Sequence, residues 1–276
     1  MMEQNVLYAF LLTLVAGLAT GVGSLIALMA KRTNRKFLSF SLGFSAGVMI
    51  YISFVDLFPE SVRILSEDYG LRGGQVATAI AFFGGILFIA LIDKLVPSVE
   101  NPHEIRSVES MQVTVPTSPG GKPLHAKHMM RTGLMTALVI GIHNFPEGIA
   151  TFMASLQDVQ MGAAIAVAIA IHNIPEGIAV SVPVYYATGN RKKAFKFSFL
   201  SGLAEPVGAL VGYLILAPFL TPAMLGYVFA VIAGIMVYIS LDELLPAAHE
   251  YGEHHVAIWG LIVGMAVMAV GIVAFA

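Results

Sequence analysis

Cysteine is absent from all 276 residues, which removes disulfides, thiolate nucleophiles and soft thiolate metal ligands together. Charge is scarce as well. Asp, Glu, Lys and Arg make up 12% of the chain against 57% hydrophobic residues, a ratio outside that of ordinary soluble domains. A Walker lysine is missing from the one run that resembles a nucleotide loop, "TGVGSLIA" at 20–27. No strand precedes that run, so it reads as small-residue helix packing and nothing points to ATP. The H-E-x-x-H signature of zinc proteases is also missing.

What is present is hydrocarbon. Mean hydropathy is +0.82, and apolar stretches of about 20 residues, enough to cross a bilayer core, recur eight times. Helices are expected near 6–30, 37–58, 75–95, 133–156, 162–186, 197–219, 224–247 and 256–275. The fold class is thus an all-α membrane protein with eight transmembrane helices, read as one domain over 1–276. The first run continues to Ala30 without a small-residue cleavage site, so it reads as a span and not as a signal peptide.

Charge placement gives orientation. Lys31, Arg32, Arg35 and Lys36 follow the first helix; Lys94, Arg106, Lys122, Lys127 and Arg131 lie between the third and fourth; Arg191, Lys192, Lys193 and Lys196 follow the fifth. Those 13 of 15 basic residues share one face, so the positive-inside rule places both termini outside the cytoplasm. The long connection at 96–130 reads as a mobile cytoplasmic loop, with His103, His125 and His128 as solvated loop residues.

Two repeats organise the chain. "IHNFPEGIA" (142–150) returns 29 residues later as "IHNIPEGIA" (171–179). More quietly, "AGVMIYISFVDLFP" (46–59) returns as "AGIMVYISLDELLP" (233–246), and "GLATGVGSL" (17–25) as "GLAEPVGAL" (202–210), at offsets of 187 and 185. Helices 1–3 therefore repeat as helices 6–8. An offset of five crossings reverses direction, so the repeats are expected to be inverted, as in secondary transporters with a midplane substrate site. Helices 4 and 5 fill the centre.

On a helix, His143 stands at 0°, Glu147 at about 40° and Asn144 at about 100°, so one face carries all three. His172, Glu176 and Asn173 repeat the pattern. Pro146 and Pro175 are expected to kink the helices beside them, and Gly148 and Gly177 to admit a neighbouring helix. Glu205 sits a third of the way into helix 6. No Lys or Arg lies in the core of any helix, while a charged side chain at the bilayer centre costs about 2.5–3.5 kcal/mol on insertion scales. The carboxylates must be protonated, hydrated or joined to a cation. Carboxylate, imidazole and amide oxygen together suit Zn²⁺, Fe²⁺, Mn²⁺ or Co²⁺. The helix angles allow two adjoining sites: His143, Glu147, His172 and Glu176 in one, and Asn144, Asn173 and Glu205 with the same two glutamates in the other.

The paired "HNFPEG" and "HNIPEG", with "SGLAEPVG" in helix 6, resemble the signature of the ZIP family of metal-ion transporters over nearly the whole chain. The resemblance implies a 3+2+3 arrangement, a zinc site at Glu147, His172 and Glu176 with His143, and an adjoining site at Asn144, Glu147, Asn173, Glu176 and Glu205. Many relatives carry other residues where His172 and Asn173 stand, so selectivity is not carried across. Met49 approaches the first site in some relatives and is read here as packing.

The leading expectation is uptake of divalent metal ions, Zn²⁺ first, with Fe²⁺, Mn²⁺, Co²⁺ and Cd²⁺ as further substrates. The second reading is an intramembrane zinc-dependent hydrolase. Metal ions and the lipid bilayer are the expected partners, with no cofactor and no nucleic acid, and a homodimer is left open. Asp56 and Glu60 at one end of the repeat, and Asp242, Glu243, His249, Glu250 and "GEHHVA" (252–257) at the other, are candidates for entrance and exit.

Overall fold

A computed structural model describes residues 2–29, 35–95, 124–157, 159–216, 221–251 and 254–275, and among these all regular structure is helical. In chain order the helices are α1 (Met2–Met29), α2 (Arg35–Ile52), α3 (Phe58–Leu95), α4 (Leu124–Gln157), α5 (Val159–Thr188), α6 (Arg191–Gly202), α7 (Ala204–Leu216), α8 (Pro222–Ile239), α9 (Leu245–Tyr251) and α10 (His254–Phe275).

The first helix shows which solvent the sequence is written for. Leu7, Leu11, Val15, Leu18, Val22, Leu25 and Met29, three or four residues apart, form an exposed stripe. Ala9, Thr13, Ala16, Thr20 and Ser24 on the other face are buried. Large apolar groups face out and small or hydroxylic ones face in, which suits hydrocarbon outside and close helix packing within. Among the described residues, five stretches are long and apolar enough to span a membrane: Asn5–Met29, Ser39–Lys94, Arg191–Ile215, Pro222–His249 and His254–Ala274. Gly162–Ile178, in α5, is apolar but shorter.

Short turns of π-helix, Ser53–Leu57 and Ser240–Leu244, lead from α2 into α3 and from α8 into α9. Both have one local cause. Ser53 donates its hydroxyl to the carbonyl of Met49 at 2.7 Å and Ser240 to that of Met236 at 2.8 Å, while Pro59 and Pro246 lack the amide that would continue an i−4 ladder. The amides of Phe58 and Leu245 bond five residues back instead, to Ser53 and Ser240.

Several boundaries depart from the sequence reading. α4 begins at Leu124, so helical backbone carries His125 and His128. Residues 96–123, with His103, lie outside the described residues. α3 runs to Leu95 with a kink at Gly70, whose φ of +69° is a conformation open to glycine. The expected sixth helix is two, parted at Leu203, because Pro206 cannot donate to the carbonyl of Gly202. α4 and α5 continue as helices through Pro146 and Pro175.

The helices sort into two groups. In one, α1, α4, α5, α6 and α7 pack on one another; in the other, α2 lies along α10 and α3 along α8, with α9 against α2. Contacts of α5 with α2 and α10, and of α4 with α8, join the groups more sparsely.

Candidate metal site

All the described candidate ligands sit in the first group. α4 carries Asn144 and Glu147, α5 carries His172, Asn173 and Glu176, and α7 carries Glu205 in its first turn. Backbone approach makes this possible. A Cβ on Gly148 would overlap the carbonyl of Glu205, and one on Gly177 the carbonyl of Thr20. The glycine ending each motif therefore lets α7 or α1 close onto the motif helix.

Burial is complete. Asn144, His172, Asn173 and Glu205 are 0% exposed and Glu147 and Glu176 1%. None of the buried side chains among the described residues is a lysine or arginine.

Three ligand candidates converge across the α4–α5 interface. His172 Nε2 lies 3.3 Å from Oε1 and 3.4 Å from Oε2 of Glu147, and 4.0 Å from Oε1 of Glu176 on its own helix. The asparagines are held by their amide nitrogens. Asn144 donates to the carbonyl of Ser201 at 3.3 Å; Asn173 donates to the carbonyl of Ala16 at 2.9 Å and to the Glu205 carboxylate. Both Oδ1 atoms are buried and accept no hydrogen bond among the described residues, which leaves lone pairs available to a cation.

The side chain of His143 lies outside the described residues; its backbone is part of α4. Among the described residues, no three His, Asp or Glu side chains already stand as a metal-binding group. A groove of about 840 Å³ beside α4, lined by Phe88, Phe145, Pro146 and Val228 among other apolar side chains, contains none of the candidate ligands.

The candidate path ends are placed apart from this cluster. Asp56 lies in the first π turn and Asp242 and Glu243 in the second. Glu60 accepts from Arg63 at 2.6 and 2.8 Å and from Gln157 at 2.9 Å, which ties α3 to the end of α4. The His249 and His254 rings are 4.6 Å apart and those of His254 and His255 5.5 Å. Residues 252–253 and the side chain of Glu250 are outside the described set. Met49 is fully buried in the apolar core.

Sequence reasoning missed the carbonyls of Ala16 and Ser201, which orient the two asparagines. The signal existed, since the 185-residue offset pairs those two positions.

The family described as "ZIP Zinc transporter" matches residues 4–271. The zinc transporter ZupT of Lysinibacillus sphaericus is 61% identical over 272 residues, 99% of each chain. That of Oceanobacillus iheyensis is 61% identical over 273 residues, covering 99% of this chain and 100% of the relative. That of Streptococcus mutans is 58% identical over 274 residues, again 99% of this chain and 100% of the relative. With the family signature spanning nearly the full length and such identity end to end, this chain belongs to the ZIP zinc transporter family.

Proposed function

We propose that the protein takes up divalent metal ions across a cytoplasmic membrane, Zn²⁺ first and Fe²⁺, Mn²⁺, Co²⁺ and Cd²⁺ as further substrates. One observation carries the reading: His172, Glu147 and Glu176 meet in a fully buried cluster where no lysine or arginine is buried. A tetrahedral zinc ion with nitrogen and oxygen ligands at about 2.0–2.1 Å sets its ligands about 3.3–3.4 Å apart. The separations from His172 to Glu147 already have that length, and Glu176, at 4.0 Å, needs to close by about 0.6–0.7 Å to reach the spacing that tetrahedral zinc sets. Metal and protons compete for the same lone pairs of these groups.

His143 is assigned to the same ion. Asn144, Asn173 and Glu205, with the two motif glutamates, are assigned to an adjoining position richer in oxygen, suited to Fe²⁺ or a second ion.

The reading includes eight crossings in a 3+2+3 inverted repeat within a single domain. Ser39–Lys94 is 56 residues long, about 84 Å of helix against a core of about 30 Å, so it is assigned two crossings meeting near Gly70. The π turns recur at the offset of 187 found in sequence. Contacts recur too: a Cβ on Gly23 would overlap the carbonyl of Ile174, and one on Gly208 that of Phe145. By the positive-inside rule the basic connections support a reading with both termini outside the cytoplasm.

The cluster belongs wholly to the α1, α4–α7 group, whose contacts with the other group are sparse. Movement of one group against the other would present the ion to each side in turn. The test is uptake of radiolabelled Zn²⁺ into liposomes, competed with Fe²⁺, Mn²⁺ and Cd²⁺, beside Glu147→Ala/Glu176→Ala. Loss of uptake in the variant is expected. Equal uptake would sink the proposal, and zinc binding without uptake would favour hydrolase assays next.

A further inference from the structure

The groove beside α4 lies on the seam between the two helix groups. Phe88 and Ile92 of α3 and Val228 of α8 line one wall, and Gly141 of α4 with Phe197 and Leu200 of α6 the other. At about 840 Å³ it has the size of a ligand site and not of a packing void. Direct contacts between α4 and α8 are sparse, so whatever fills the groove completes the seam.

The lining selects the chemistry of that occupant. Its polar side chains are Ser201 and Tyr227, and both hydroxyls are engaged: Ser201 donates to the carbonyl of Ser198 at 2.8 Å and Tyr227 to the Tyr69 hydroxyl at 3.3 Å. A sugar or a nucleotide would leave its own polar groups unpaired there, whereas a hydrocarbon chain has none to pair. Along α4 the groove runs from Ala137 to Ile149, a rise of about 18 Å. Half of a bilayer core of about 30 Å is about 15 Å. One acyl chain of one leaflet therefore fits its length.

Charge at one end supplies a place for a headgroup. One turn before Phe197 and Leu200 stand two exposed lysines, Lys193 and Lys196. Neither has an ion-pair partner among the described residues. They lie at the head of the apolar stretch Arg191–Ile215, the depth at which a lipid phosphate meets the hydrocarbon. Lys192 stands about 100° round the helix from Lys193, and Arg191 is turned over the Tyr185 ring at 5.9 Å from its centroid. Two of the four basic residues of α6 thus continue the face that lines the groove.

We propose that the seam holds one anionic diacyl phospholipid, its phosphate against Lys193 and Lys196 and one acyl chain along the groove between α4 and α8. The inference rests on residence in a membrane and not on which ion is carried. A molecule that touches both helix groups stabilises the arrangement in which it binds, so this lipid holds the two groups at the spacing seen here.

The test is native mass spectrometry of the detergent-solubilised protein, titrated with phosphatidylglycerol or with phosphatidylcholine of the same acyl chains, and thermal unfolding in parallel. Expected is one tightly retained phosphatidylglycerol per chain, preferred over phosphatidylcholine by about tenfold, from roughly a fivefold gain for each lysine beside an anionic group less the screening of exposed charges. Phosphatidylglycerol should also raise the unfolding temperature more than phosphatidylcholine does. In Lys193→Gln/Lys196→Gln the preference should vanish, while Lys192→Gln should keep it. A Cβ on Gly141 meets nothing within 4 Å, so Gly141→Leu fills the groove from within and should lose the retained lipid.

Equal retention of the two lipids by the wild type, an unchanged preference in the lysine pair variant, the same loss in Lys192→Gln as in the pair, or full retention in Gly141→Leu would each overturn the assignment. A protein dimer that Gly141→Leu abolishes, with no lipid retained by the wild type, would give the groove to a second copy of the chain instead. Should Gly141→Leu not fold, the lysine variants decide.

Discussion

Substituting Glu147 by glutamine should change stability with opposite sign in the absence and presence of zinc. Glu147 is 1% exposed, faces His172 Nε2 at 3.3–3.4 Å, and sits where no described lysine or arginine is buried. An ionised carboxylate in such a place costs about 2.5–3.5 kcal/mol on insertion scales, a cost that a neutral amide does not carry. Glutamine is nearly isosteric and keeps an oxygen toward His172. Without metal, Glu147→Gln should therefore be as stable as wild type or more so. With zinc the order inverts. At a concentration of 100 Kd, a bound ion stabilises wild type by about 2.7 kcal/mol. If losing the carboxylate weakens binding about 100-fold, the same zinc stabilises the variant by only about 0.4 kcal/mol. Thermal unfolding of the detergent-solubilised protein, with chelator and then across a zinc titration, reads both signs. A variant markedly less stable than wild type in chelator would show that Glu147 is structural. A zinc-induced shift equal to that of wild type would remove it from the metal site.

Uptake should fall as pH drops from about 7 to about 5, because His172 must be neutral to bind metal and an imidazole takes its proton near pH 6.5 in the reference state. A flat rate across that window, in vesicles with their membrane potential clamped, would argue against ligation by histidine. Two glycines of α4 should behave differently. Gly141→Ala meets nothing within 4 Å and should fold at least as well as wild type, by up to about 1 kcal/mol of helix propensity. Gly148→Ala drives a methyl into the carbonyl of Glu205 and should cost about 1–3 kcal/mol or more, together with uptake; equal thermal stability of the two variants would refute the close approach. Gln157→Ala removes a 2.9 Å hydrogen bond from Glu60 that links the two helix groups. It should alter the zinc concentration giving half-maximal uptake without altering Co²⁺ binding at the cluster, and parallel changes in both would show that the contact does not govern access.

Much of the candidate site was legible because a helix turns a spacing into a face. His172 and Glu176, four residues apart on α5, had to share a face whatever the rest of the chain did. Poor placement of Leu203 has an equally plain cause: an apolar run looks continuous until the ring of Pro206 is set against the carbonyl of Gly202. The extension of α4 to Leu124 is not legible because "LHAKHMMRTG" is polar enough to resemble a loop, and polarity alone does not forbid helix.

By itself the sequence determined the local facts: an apolar, cysteine-free, helical chain; two copies of one motif; and a repeat whose offsets the π turns and paired glycine contacts obey. These follow from backbone periodicity and side-chain solvation, which act over a few residues. Only the tertiary structure decided that Glu147 reaches across to His172, that Glu205 meets Asn173, and that these residues all belong to one of two helix groups. Such contacts join residues far apart in sequence, Asn173 and Ala16 among them at 157 positions. They depend on which glycines let which backbones touch, a choice made by helix-on-helix packing and not by any single segment.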